Sequence, residues 1–68
     1  MIKFHLDRLL FENDKMKVSQ LVEVTGLNKN TLYAMERNET KRVDVEALNT
    51  ICKALNCKIE ELVEYIPD

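Results

Sequence analysis

The chain has 68 residues, of which 46% are hydrophobic and 32% charged, with one Gly, one Pro and a formal net charge of −2. A chain of that length forms one domain at most and buries only about 60% of the surface its unfolded form exposes, so a deep catalytic cavity is not expected. No apolar run reaches the length of a bilayer span and no apolar leader opens the sequence, so the expected compartment is the cytoplasm.

Ile2, Phe4 and Leu6 alternate with Lys3 and His5, the period of a short strand that runs into a helix. Leu6, Leu9, Leu10 and Asn13 share one helical face, which predicts a first helix over residues 6–14. Phe11 points off that face, either to pack under a terminus or to meet a partner. A second helix is predicted over residues 18–25, with Val18, Leu21, Val22 and Thr25 on one side and Gly26 ending it in the left-handed region.

Asn28 is a favourable N-cap for a third helix over residues 29–37. On it Leu32 and Met35 face inward with Thr31 beside them, while Lys29, Asn30, Tyr33, Ala34 and Arg37 gather on the opposite face. Asn38 tolerates the left-handed region almost as Gly does. A polar loop, Glu39-Thr40-Lys41-Arg42, leads to Asp44, the expected cap of a fourth helix over residues 45–55. Its apolar stripe is Ala47, Leu48, Ile51, Cys52, Ala54 and Leu55, with Glu46, Asn49, Thr50 and Lys53 toward water. Asn56 ends it, and residues 59–63 make a short fifth helix. Val63 and Tyr65 flank Glu64 in an extended tail that stops at Pro67 and is a candidate to pair with residues 2–5.

The spacing of Leu21, Val22, Gly26, Leu27, Leu32 and Met35 describes two short helices meeting at a sharp turn over residues 18–37. Such a corner can press its second helix into the major groove of DNA. Burying Leu21, Leu32 and Met35 leaves the opposite side of the third helix free, and that side begins at a helix N-terminus, where free amides and the macrodipole favour phosphate. The charge distribution agrees. Residues 15–42 carry six basic and three acidic side chains, whereas residues 43–68 carry two basic and six acidic ones.

Residues 16–62 resemble the phage-repressor-type (Xre/Cro) helix-turn-helix family of transcriptional regulators. The resemblance rests on Leu21, Gly26, Leu27, Leu32, Met35 and Glu36, then Asn38 and Thr40-Lys41-Arg42, with short helices following at 48–55 and 59–62. The flanks 1–6 and 64–68 resemble those of the smallest bacterial members. The resemblance implies an all-α, five-helix, lambda-repressor-like domain spanning residues 1–68, with the terminal segments as candidate paired strands. It also implies a sequence-specific regulator that reads DNA as a homodimer. Lys29, Asn30 and Ala34 fall on positions similar to the family's base-reading residues, with Tyr33 between base and backbone positions. Lys17, Ser19, Asn28, Arg37, Asn38, Thr40, Lys41 and Arg42 are then the expected phosphate contacts. The chain departs from the family at Val22, where Ala is preferred, at Asn38, where Gly is usual, and at Val18, where a polar residue touches phosphate. That last contact is either lost or moved to Lys17 or Ser19.

One module of this size buries little DNA, so two copies about 34 Å apart are expected to share a two-fold site. Phe11, the segment from Ile2 to Phe4 and the Tyr65–Ile66 tail are candidate contacts between copies. A second reading keeps the fold but uses the acidic half to bind a protein, as an antitoxin-like or anti-repressor-like module. An enzyme is the weakest reading, because His5 stands alone and Glu60 and Glu61 are adjacent and diverge on a helix. Two Cys and one His are too few for a zinc site, and Cys52 and Cys57 read as structural thiols rather than a disulfide. No cofactor, metal or small-molecule ligand is expected.

Overall fold

The computed structural model describes residues 1–68. In chain order it holds β1 (Ile2–Phe4), α1 (Leu6–Glu12), α2 (Val18–Thr25), α3 (Lys29–Glu36), α4 (Val45–Leu55), α5 (Ile59–Leu62) and β2 (Val63–Tyr65). The five-helix architecture is therefore joined by a small antiparallel ribbon. Its register sets Ile2 opposite Tyr65, Lys3 opposite Glu64 and Phe4 opposite Val63. Strand β1 stops at Phe4, one residue short of the expected pairing segment, because His5 turns away to begin α1. The His5 imidazole still meets the ribbon, with Nε2 2.6 Å from Glu64 Oε1.

All 12 buried residues are apolar, so the core itself holds no polar side chain to be compensated. Leu6, Leu21, Leu32, Met35, Ile51 and Leu62 are fully enclosed and come from five different helices. Each contributes roughly 1.5–3 kcal/mol by leaving water. Phe4 brings the ribbon into the same cluster. Val18 is also buried there, at 4% exposure.

Helix α3 ends at Glu36 rather than residue 37, and α5 at Leu62 rather than residue 63, where β2 begins; two further expectations are corrected. Helix α1 ends at Glu12 rather than residue 14. The Asn13 amide donates to the Leu9 carbonyl at 2.8 Å, competing with the helix ladder. Asp14 and Lys15 then take φ of 59° and 56°, swinging the chain toward α2. Ala54 does not join the buried stripe of α4 but is exposed. The buried line runs through Ala47, Ile51 and Leu55. Ala54 lies on its border, in a shallow depression shared with Met16 and Val24.

Candidate nucleic-acid interface

The corner between α2 and α3 is built from local chemistry. Gly26 takes φ of 72° and donates its N–H to the Val22 carbonyl at 2.8 Å, ending α2 in a left-handed turn. Thr25 ties the turn together. Its hydroxyl donates to the Leu21 carbonyl at 2.6 Å and accepts the Leu27 N–H at 3.2 Å. Asn28 Oδ1 then accepts the Asn30 N–H at 2.8 Å and starts α3. At the entrance to α2, Gln20 Oε1 accepts the Lys17 N–H at 2.8 Å, which leaves the Lys17 ammonium exposed.

Helix α3 buries Leu32 and Met35 completely and turns its other side outward. Lys29 and Asn30 are exposed, Tyr33 is 38% exposed and Ala34 is half-buried. No ion pair occupies Lys29, and the Asn30 side chain makes no hydrogen bond, its backbone N–H alone meeting the Asn28 cap. Asn30, Thr31 and Ala34 form one wall of an open groove of about 430 Å³, with Glu39, Thr40, Lys41 and Arg42 on the other. The helix and the basic loop, separate in sequence, thus share one concave surface. The Thr40 hydroxyl oxygen is buried beside it with no hydrogen-bond partner.

The remaining phosphate candidates fall into three situations. Ser19, Asn28, Lys41 and Arg42 are exposed, and the Asn28 amide nitrogen stays free while its oxygen caps α3. Arg37 is exposed but paired, with Nε donating to Glu39 Oε1 at 2.7 Å. An exposed pair of this kind contributes about 0–1 kcal/mol and yields easily to a competing phosphate. Asn38 is exposed, but its side-chain amide is already hydrogen-bonded to the Phe4 backbone. Its Oδ1 accepts the Phe4 N–H at 2.6 Å and its amide nitrogen donates to the Phe4 carbonyl at 3.1 Å.

The reason lies in the ribbon. Met1 and Ile66 exchange hydrogen bonds, and His5 donates to the Leu62 carbonyl, so odd-numbered residues of the first segment bond across the ribbon. Phe4 consequently directs its N–H and C=O to the outer edge. The Asn38 amide satisfies both, standing in for a third strand. The Val18 side chain lies in the core.

Of the surfaces expected to join two copies, Phe4 is buried and used within the chain. Ile2 and Tyr65 are exposed opposite one another, and Phe11 is 65% exposed with the Lys15 Nζ 5.9 Å from its ring centroid. Sequence reasoning missed the Thr25 tie, the Asn38 clasp and the Arg37–Glu39 pair. Only the last left a readable signal, an acidic residue two positions after an exposed Arg.

A corner of this construction, with an outward-facing second helix beside a basic loop, defines a helix-turn-helix domain. The chain belongs to the Cro/C1-type helix-turn-helix DNA-binding domain family, whose model matches residues 5–68. It is 33% identical over 54 residues to the uncharacterized HTH-type transcriptional regulator YozG of Bacillus subtilis (strain 168). That match covers 79% of this chain and 64% of the relative, so it spans less than two thirds of YozG. The fold is also that of the crystal structure of the transcriptional regulator VanUg, form II, with a TM-score of 0.78 at 31% identity over 98% of this chain and 87% of the other. The family is one of DNA-binding transcriptional regulators. No helix of the chain is long and apolar enough to cross a membrane.

Proposed function

We propose that the chain is a sequence-specific regulator that inserts α3 into the major groove and acts as a homodimer on a two-fold site. The observation that carries this reading is the outward face of α3. Its Lys29 and Asn30 side chains have no partner in the chain, and Asn30 lines one groove together with the basic loop. Asn30 suits adenine N6 and N7, Lys29 suits guanine O6 and N7, and the Ala34 methyl suits a thymine methyl. Tyr33 completes the reading face, with its hydroxyl also within reach of a phosphate.

Lys17, Ser19, Asn28, Arg37, Lys41 and Arg42 hold the backbone and set register. Thr40 turns its unpartnered hydroxyl to a phosphate oxygen entering the groove. Asn38 supports this surface from behind without touching DNA. The reading makes the chain a non-enzymatic protein of the cytoplasm, where a bacterial or phage genome is read.

Selection from a random duplex pool, followed by titration of the winner, tests the proposal. The expected result is an enriched two-fold motif. Lys29→Ala and Asn30→Ala are each expected to cost about 1–3 kcal/mol of discrimination at one position of each half-site. A protein-interaction module on the same fold is the second reading. It is favoured by the net charge of −2 and by Val18, which occupies a phosphate-contacting position with a buried apolar side chain. Under that reading no motif is enriched and both substitutions leave function intact.

A further inference from the structure

Helices α3 and α4 end in the same way, and the difference between the two ends is informative. Each places an Asn in the left-handed region, Asn38 with φ of 58° and Asn56 with φ of 51°. Each then closes with a hydrogen bond spanning six residues, Glu39 N–H to Ala34 at 2.8 Å and Cys57 N–H to Cys52 at 3.0 Å. At both ends the left-handed residue also bonds back, Asn38 N–H to the Met35 carbonyl at 3.1 Å and Asn56 N–H to the Lys53 carbonyl at 3.4 Å, which completes a Schellman motif at each. In that motif the residues joined by the six-residue bond bring their side chains together, usually as an apolar contact. At α3 these positions hold Ala34 and Glu39. At α4 they hold the only two cysteines of the chain.

Across one such bond, standard backbone dimensions set the two Cα atoms roughly 5–6 Å apart, within the span a disulfide bridges. Both thiols are free and half-buried against the core. Their surroundings differ. Cys52 forms part of an open apolar groove with Val45, Leu48, Asn49 and Ile59. Cys57 does not line that groove, and burial, and after it the neighbouring Cys52 thiol, raise its pKa from 9.0 to about 11. Cys57 therefore keeps its proton at neutral pH, while Cys52 is the thiol that a small reagent meets from the groove.

We propose that Cys52 and Cys57 form a reversible redox site at the α4–α5 corner, oxidised to an intramolecular disulfide by hydroperoxides. The Cys52 sulfur, as thiolate, attacks one peroxide oxygen. The O–O bond breaks, and the other oxygen leaves as water or an alcohol once protonated. Cys52 is then a sulfenic acid. The Cys57 sulfur attacks the Cys52 sulfur and the S–O bond breaks. The departing hydroxide takes the Cys57 proton and leaves as water. The dithiol has given up two electrons and two protons, and the peroxide has been reduced by the same two electrons. A thiol reductant restores both thiols by exchange. Because the turn already holds the two residues together, α4 and α5 keep their places through the cycle.

The test uses the full chain and hydrogen peroxide, with products read by mass and by free-thiol titration. The expected product is a monomer lighter by two hydrogens, with no free thiol and an unchanged helical circular dichroism spectrum. A disulfide-linked dimer, or a monomer carrying added oxygen and no bridge, overturns the proposal. The contribution of the turn is read from equilibrium with a glutathione redox buffer. The bridge is expected to form with an equilibrium constant at least about tenfold larger in the folded chain than in the denatured one. An equal or smaller constant shows that the fold does not favour it. The roles are separated by variants. Cys57→Ser is expected to accumulate a Cys52 sulfenic acid that a cyclic diketone traps, whereas Cys52→Ser is expected to give no adduct. The reverse pattern overturns the assignment of Cys52 as the attacking thiol.

Discussion

Asn38 shows how much one side chain decides when it stands where a backbone edge needs closing. Its amide answers both polar groups of Phe4, and its own backbone ends α3 in a conformation that few residues accept. Asn38→Ala is expected to cost about 1–3 kcal/mol, chiefly because the Phe4 N–H is left without a partner. Asn38→Gly removes the same hydrogen bonds but relieves the backbone, so its loss in a urea titration is expected to be smaller. Cys57 gives a second prediction at this scale. Folding raises its pKa from 9.0 to about 11 by favouring the neutral thiol. That contribution to stability is fully present below pH 9 and is lost as pH rises through about 11. The stability difference between the native chain and Cys57→Ala is therefore expected to shrink between those values, measured by denaturant midpoints at a series of pH.

Among the elements, the α2–α3 corner depends most sharply on backbone geometry. A Cβ at Gly26 would meet no atom within 4 Å, so the demand there is purely conformational. Gly26→Ala is expected to destabilise by about 1 kcal/mol, with Gly26→Asn costing less, as read from thermal unfolding. The bounds of α2 and α4 were legible in the chain because strong periodicity there coincides with clear stop and start residues, Gly26, Asp44 and Asn56. The end of α1 was not, because the Asn13 side chain competes with the helix in a way that the apolar pattern does not record. The candidate site shows the same division. The outward residues of α3 follow from the inward ones by period alone. The groove they share with Thr40, Lys41 and Arg42, and the Asn38 clasp behind it, depend on tertiary placement.

For the whole molecule, affinity for duplex DNA is expected to fall steeply with salt. The four proposed cationic phosphate contacts, Lys17, Arg37, Lys41 and Arg42, give an expected slope of log affinity against log salt of roughly −3 to −4 for each copy bound. Lys41→Ala is expected to lessen that slope by about one per copy while leaving the selected motif unchanged. A slope that does not change removes Lys41 from the interface.

The molecule measures 35 × 21 × 19 Å, and its charge is divided between a basic middle and an acidic C-terminal stretch. At physiological ionic strength a charge is felt over about 8 Å, well short of every one of those dimensions. On the proposed reading, a duplex approaching α3 is therefore expected to sense the local cations and not the total. Approached from other directions, the same protein is indifferent or repelled. Unproductive encounters are then expected to end quickly, and the search for a site to favour repeated brief landings over long one-dimensional sliding.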